Sequence, residues 1–382
     1  MECKMLLDTI DALDEQYMSV WEAVCNLESP TAGKGGVDAV GSYFEALAQE
    51  KGWKIEKLPL ETAGDPICIT MNPDAPGAPV TFSGHIDTVH PVGLFGQPPV
   101  RRDENKIYGP GVADCKGGAV ASFLAMDALE RCGFTARPVQ LILQTDEETG
   151  SRNSGKKTVE FMCEKAKNAI AFFNTEPCSK DKATLSRKGI WRAKLNITGK
   201  AAHSSDCMNG ASAIAEAAHK LLKLEQMKDK NGLTCNCGVI EGGTVANTVA
   251  ASCSFLADIR FATQAQYDQA VAMVNEVAQT VHIPGCSCQV EHISYRPPMP
   301  LEQRNIELLA RMNEIYAAAG LPVLAPNVGV GGSDAAYTTL AGIPTIDSIG
   351  VFGDSIHSVQ EFAWSASLGE AAKRLAVAAY FL

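Results

Sequence analysis

No stretch of about 18 uninterrupted apolar residues occurs in this 382-residue chain, so a membrane-spanning helix is not expected. Positive charge is also short. With 33 Lys and Arg against 44 Asp and Glu, the net charge is −11, which argues against nucleic acid or an anionic membrane surface as a partner. Low-complexity runs are missing as well. The N-terminus MECKMLLDTIDALDEQYMSVWEAVCNLESP is charged and amphipathic where a secretory leader would be apolar. It predicts a first helix ending near Ser29-Pro30, and the expected location is the cytoplasm. Cysteine is not scarce, but the 13 residues are odd in number and scattered, so reduced thiols are the better reading than disulfides. The C-x-C pairs Cys235/Cys237 and Cys286/Cys288 could be half-sites for zinc. Both lie in alternating, strand-like runs, where small thiols pack as modest hydrophobes.

The length suggests two domains. From Gly36 to about Ala183, helical stretches such as VDAVGSYFEALAQEKG and GGAVASFLAMDALERCG alternate with apolar strands such as ICITMN, PVTFSGHID, VQLILQTDE and NAIAFFNTE. That alternation predicts an α/β sheet with helices on both faces. From Arg187 the order changes to strand, helix, strand, strand, helix, strand over about 110 residues, a ferredoxin-like βαββαβ unit. RPPMP closes it, and an α/β pattern resumes to Leu382. The expectation is a larger domain over 1–186 and 298–382, interrupted by an α+β domain over 187–297. In the usual strand order of such a unit the second and fourth strands are opposite edges, too far apart for the two C-x-C pairs to share an ion.

FSGHIDTVH leaves an apolar strand with a histidine and an aspartate two residues apart. Residues i and i+2 of a strand share a face, so His85 and Asp87 can touch. A polar pair meeting water is the plainer reading of that His-x-Asp taken alone. Four further signals sit at strand ends or turns: Asp114 in YGPGVADCKGGA, the run Asp146-Glu147-Glu148 in LILQTDEETGS, Glu176 in FFNTEPC, and His357 in GDSIHSVQEF. Each has its own plain reading, respectively an N-cap, a solvated turn, a surface glutamate and a solvated loop histidine. Together they offer two imidazoles and three carboxylates at the edge where open α/β sheets bind ligands. If Asp114 bridges, each of two ions receives one histidine, one terminal carboxylate and the shared one, with a position open for water. Nitrogen and oxygen donors suit zinc, with cobalt or manganese as substitutes. Glu147 could then take the water's proton, and Asp87 could orient His85.

With these residues in hand, the chain resembles the co-catalytic zinc exopeptidases and deacylases, which include glutamate carboxypeptidase, acetylornithine deacetylase, succinyl-diaminopimelate desuccinylase and aminoacylase. The resemblance runs from about Ser29 to Leu382 and rests on SGHIDTV, GPGVADCKGG, TDEETGS, NTEP, RKGIWRAKLNITGKAAHSS, and GGSDAA with IHS. GGTVANTVAASCSFLADIRFA, YRPP and GGSDAAYTTLAGIPTIDSIG place it nearest the glutamate carboxypeptidase-like branch. The resemblance implies a mixed-sheet catalytic domain with an inserted lid and dimerisation domain. It implies that His85, Asp114 and Glu176 hold one zinc, that Asp114, Glu148 and His357 hold the other, and that Glu147 is the general base and acid with Asp87 in support. Glu176 stands where tripeptide aminopeptidases commonly carry Asp, which favours a carboxypeptidase or deacylase.

In the inserted domain the resemblance implies that His203 reaches a partner subunit's site and polarises the scissile carbonyl, with Asn247 donating to the same oxyanion. Arg260 would bind the substrate's free α-carboxylate, Arg296 would be a second contact, and GVGGSDAA, with Gly332, would be a substrate loop. The implied reaction is release of a C-terminal amino acid from a small peptide or conjugate by a homodimer. Two alternatives stand beside it: an N-acyl-amino-acid deacylase, such as acetylornithine deacetylase or succinyl-diaminopimelate desuccinylase, and a non-catalytic metal-binding homologue.

Overall fold

The computed structural model describes residues 2–229 and 232–382. The chain divides into two units: Met1–Ser186 with Leu301–Val328 and Ser333–Leu382, and Arg187–Pro300 with Gly329–Gly332.

The larger unit is built on an eight-stranded mixed sheet in the order Lys54–Lys57, Ile67–Met71, Val139–Gln144, Val80–His85, Ala171–Asn174, Thr345–Asp347, Lys182–Arg187, Ala325–Gly329. Alternation along the central strands explains why helices cover both faces. Ile67, Ile69, Met71, Leu141, Leu143 and Phe173 belong to one core, shared with the helices Glu2–Asn26, Lys34–Glu50, Lys116–Arg131, Gln303–Ala319 and Ser367–Phe381. The intervening Cys68, Ile142 and Phe172 point the other way, against Val159, Phe161 and Met162 of helix Lys157–Lys165. A strand buried on both sides shows up in sequence as a continuous apolar run, as these do.

Two parallel pairings set up the functional edge. Val80–His85 runs parallel to Val139–Gln144 on one side and to Ala171–Asn174 on the other, with His85 opposite Gln144 and Ser83 opposite Asn174. Three adjacent strands therefore end together, and the residues just beyond them emerge side by side. A second, small antiparallel sheet joins Gly353–Asp354, Phe362–Trp364, Lys106–Tyr108 and Arg101–Arg102. Its pairing of Phe362 with Tyr108 brings the 354–361 loop against the turn that carries Asp114.

The smaller unit has a four-stranded antiparallel sheet ordered Thr234–Gly242, Ser252–Phe261, Gly189–Thr198, Ser287–Arg296, with helices Ala213–Leu224 and Gln264–Gln279. Trp191, Ala193, Leu195 and Ile197 alternate onto the helix-covered face with Phe255, Ala257 and Ile259. The fully buried Lys220 ties the helices together: its ammonium donates to the carbonyls of Val277, Ala278 and Thr280, while Glu216 accepts the amides of His282 and Ile283. Cys235 and Cys237 lie on one edge strand of this sheet, and Cys288 lies on the opposite edge strand with Cys286 just before it.

Candidate metal centre

Asp114 stands between two histidines. Its Oδ1 lies 3.0 Å from His85 Nε2, and its Oδ2 lies 3.1 Å from His357 Nε2. Each end adds a further carboxylate: Glu176 Oε1 is 3.9 Å from His85 Nε2, and Glu148 Oε2 is 3.3 Å from His357 Nε2. Five residues spread over more than 270 positions thus converge, in the order Glu176, His85, Asp114, His357, Glu148. The plain reading of Asp114 as an N-cap is corrected here. The residue preceding helix Lys116–Arg131 is Cys115, and no side chain caps that end. Glu176 is not a surface glutamate either, since it is buried at the strand end.

His357 is reached differently from the others. It lies in the loop between two short strands of the small sheet, with φ of +62°, a left-handed conformation uncommon for a side chain of this size. Such strain is characteristic of sites that the surrounding structure holds in place.

Asp87 is fully buried and organises both flanks. Its main-chain carbonyl is 3.0 Å from His85 Nδ1 and its carboxylate 3.5 Å, so the carbonyl is the nearer acceptor for that ring nitrogen. The carboxylate accepts the amides of Glu147 and Glu148, each at 3.2 Å, and the Thr31 hydroxyl at 2.7 Å. Of the three consecutive acids, Asp146 turns away. It accepts the Ser154 amide at 2.6 Å and the Thr149 hydroxyl, and so builds the turn. Glu147 is buried with Glu148 beside the cluster.

Sequence reasoning passed over a second layer. Glu361 Oε1 accepts the amides of Ala113 and Asp114 at 3.0 and 3.1 Å, and its Oε2 lies 2.8 Å from His90 Nε2. Glu361 and His90 are both buried. The only sequence signal was a glutamate four residues after His357, and nothing in spacing alone distinguishes it from a solvated loop residue.

The electrostatics show what the cluster wants. Burial pushes the Glu148 carboxyl up to about 7 and the Glu176 carboxyl well above its usual range, with neighbouring carboxylates adding to both. Hydrogen bonds to Asp114 and Glu148 hold His357 at about 10. Burial works against Asp114 ionising, yet the two histidines overcome it and hold its carboxyl far below the usual value. Crowded, buried carboxylates that resist ionising are the arrangement a divalent cation neutralises. Two geometric groups of candidate ligands stand out among the described residues, His85 with Asp114 and Glu148, and His85 with Cys115 and Glu176. The mixed nitrogen and oxygen donor set fits a divalent ion such as zinc.

The remaining site candidates lie in the smaller unit. His203 and Asn247 come together there: His203 pairs with Thr248, and the Ser204 amide donates to the Asn247 carbonyl at 2.9 Å. Both are exposed. Arg260 and Arg296 are register partners of the same residue, Ile190, from strands on either side of it. The two guanidiniums therefore leave one face of the sheet in a single row. Gly332 belongs to this end too, since a Cβ there would come within 2.5 Å of Arg296 Cδ and 3.0 Å of Ile190 Cδ1. Arg260 is held through Nε and Nη2 by Asp258, which Arg192 also approaches at 2.9 Å.

The family model described as Peptidase family M20/M25/M40 matches residues 81–380. Carboxypeptidase G2 from Pseudomonas sp. (strain RS-16) is 30% identical over 356 residues, covering 91% of this chain and 85% of that protein. Acetylornithine deacetylase from Pasteurella multocida is 30% identical over 239 residues, covering 59% of this chain and 60% of that one. Among solved structures, aminopeptidase PepT from Bacillus cereus superposes with a TM-score of 0.78 at 20% identity, covering 96% of this chain and 98% of that one. The M20 family metallo-carboxypeptidase Sso-CP2 from Sulfolobus solfataricus gives 0.73 at 15% identity, covering 95% and 99%. These two carry the fold. The chain belongs to Peptidase family M20/M25/M40 and is a hydrolase of peptide or amide bonds.

Proposed function

We propose that the protein is a di-zinc carboxypeptidase that releases a C-terminal amino acid from a small peptide or amino-acid conjugate. The observation that carries the reading is Asp114, which gives one carboxylate oxygen to the His85 side and the other to the His357 side. His85, Asp114 and Glu176 would hold one ion, and Asp114, Glu148 and His357 the other. Bound there, divalent ions polarise a carbonyl and lower the pKa of water.

The chain's own residues account for the rest. Glu147 takes a proton from the attacking water and delivers it to the leaving amine. Its main-chain amide is held by the Asp87 carboxylate. His203 and Asn247 donate to the developing oxyanion. Arg260 and Arg296 take the substrate's α-carboxylate, a geometry to which the planar guanidinium is suited, and Gly332 keeps the neighbouring backbone close to Arg296.

The strand geometry supports a homodimer in which His203 serves a partner subunit. His203 and Asn247 leave the sheet beyond the Thr198/Ser252 row, whereas Arg260 and Arg296 share the Ile190 row. Eight residues of strand separate those rows, about 27 Å at the usual rise. One small substrate does not reach both ends. A cytoplasmic location completes the reading.

A second reading, an N-acyl-amino-acid deacylase, is favoured by the similarity to acetylornithine deacetylase and to succinyl-diaminopimelate desuccinylase from Rhodospirillum centenum. Both reactions leave an α-carboxylate for Arg260. The deciding experiment is amino-acid release from an acyl-glutamate, a folate-like glutamyl conjugate, N-acetylornithine, N-succinyl-diaminopimelate and a dipeptide, each with zinc and with a chelator. Chelator-sensitive release from the glutamyl conjugates supports the carboxypeptidase. Preference for either deacylase substrate replaces it with the second reading.

A further inference from the structure

Nothing in the proposed mechanism uses Cys235 and Cys237, yet their sulfurs lie only 3.9 Å apart. In a regular strand, residues two apart share a face with their Cα atoms about 6.6 Å from each other. That is the far limit for a disulfide. Strand Thr234–Gly242 is not regular here. Its pairing with Ser252–Phe261 shifts between Asn236 and Val239, so Cys237 and Gly238 together oppose Ala257. An extra residue of this kind bends a strand and re-aims its side chains. Cys235 is buried in the core of the smaller unit, and Cys237 is partly exposed beside it. The chain that follows helix Ala213–Leu224 holds both residues by their backbone. The Cys235 amide donates to the Met227 carbonyl at 2.8 Å, and the Cys237 amide donates to Glu225 Oε1 at 2.6 Å. The other C-x-C pair lacks this device, since the register shift in its edge strand falls between His292 and Ser294, past Cys288.

We propose that Cys235 and Cys237 form a reversible dithiol–disulfide site whose reaction partner is a small-molecule disulfide such as oxidised glutathione. Cys237 is the more exposed sulfur and makes the first attack. Its thiolate breaks the oxidant's S–S bond, displaces one small thiol and is left as a mixed disulfide. The Cys235 sulfur, giving up its proton, then attacks Cys237 Sγ and displaces the second small thiol. One disulfide is broken and one is made, and the two cysteine protons end on the two released thiols. The sulfurs close from 3.9 Å to about 2.0 Å. The hydrogen bond with Cys237, together with burial, raises the Cys235 thiol well above its usual range, which suits it to the second attack rather than the first. A bond spanning two residues of a strand is strained and readily reduced, so the free thiols are the resting form in reducing surroundings.

The test exposes the full-length protein to graded ratios of reduced to oxidised glutathione, blocks free thiols with an alkylating agent, and weighs the digested peptides. At oxidising ratios the peptide carrying Cys235 and Cys237 should be unalkylated and lighter by two hydrogens. It should regain both alkyl groups after return to reduced glutathione. The Cys286/Cys288 peptide should stay alkylated at the ratio that half-closes the first pair. Cys235→Ser should stop at the mixed disulfide, with one glutathione on Cys237. Full alkylation of Cys235 and Cys237 after oxidised glutathione alone overturns the proposal, and so does a wild-type glutathione adduct on Cys237 that never resolves. Equal closure of the two C-x-C pairs overturns the part given to the bulge. The wild-type masses decide the matter even if the serine variant fails to fold.

Discussion

Glu361 and Asp114 are joined through the main chain: the Asp114 amide donates to Glu361 Oε1 at 3.1 Å, beside the Ala113 amide on the same oxygen. The turn that aims Asp114 at two histidines is therefore held by a carboxylate 247 positions away in the chain. Glu361→Ala would leave both amides without this acceptor in a buried place. Metal affinity should fall about ten- to a hundredfold, measured by competition with a chromophoric chelator. Glu361→Gln keeps one acceptor oxygen and should stay close to wild type. Wild-type affinity in the alanine variant would rule out this positioning.

Replacing Glu147 with Gln removes the base while keeping the backbone amide that Asp87 holds. Turnover should fall by roughly 10²–10⁴, the usual contribution of a general base, with metal content unchanged by elemental analysis. Near-normal turnover would assign the proton transfer to another group.

Arg260 gives the substrate test. Arg260→Ala removes charged hydrogen bonds worth about 1.5–3 kcal/mol, or roughly tenfold to a hundredfold in kcat/KM. The loss should vanish for a substrate whose α-carboxylate is amidated. Equal losses on both substrates would mean that Arg260, through its pairing with Asp258, acts on the sheet rather than on the ligand.

A dimer that shares its sites makes a quantitative claim about mixtures. Glu147→Gln and His203→Ala subunits should each be nearly inactive alone. In a mixed dimer, one site combines Glu147 from one subunit with His203 from the other. Random reassortment makes half the dimers mixed, each with one complete site, so activity should return to about one quarter of wild type. No recovery after verified subunit exchange would place His203 outside its partner's site.

Acid stability should report on Asp127. This buried carboxylate accepts from Tyr17, Arg131 and Lys51 and joins the first helix to helix Lys116–Arg131. Burial raises its pKa, but the hydrogen bonds from Arg131, Lys51 and Tyr17 outweigh that and hold it below 3.8. A lowered folded value means that the stabilisation is complete above the ordinary carboxylate range and is lost as pH falls through it. Asp127→Asn should cost about 1.5–3 kcal/mol near neutrality and flatten the acid limb of the stability curve. Urea melts across that range would show it, and parallel curves for the two proteins would exclude the assignment.

The alternating strands and helices of both units were legible because each central strand is an apolar run of helix-incompatible length and each helix carries an apolar stripe. His85, Glu148 and Glu176 were legible for a related reason, since strands that end together carry their polar successors to one edge. Asp114 and His357 each lie in an irregular turn, and only their company with the strand-end residues singled them out. Glu361 and His90 stayed hidden. They act through backbone amides or through space, and neither leaves a periodicity. The small antiparallel sheet that carries His357 was equally silent, since strands of two or three residues are too short to show alternation.

The buried ammonium of Lys116 ends on the carbonyls of Val24 and Leu27, at the last turn of helix Glu2–Asn26 and just beyond it. Trp21 of the same helix donates to the Val112 carbonyl at 3.1 Å. The family model's match begins at residue 81, although the similarity to carboxypeptidase G2 covers 91% of the chain, so the matched segment and the cooperatively folded unit do not coincide in this protein. A chain cut at the start of the matched region would carry a positive charge into its interior two residues from Asp114, with no carbonyl to receive it. The first helix, which precedes the segment matched by the family model, is in effect the foundation on which the centre's loop is laid.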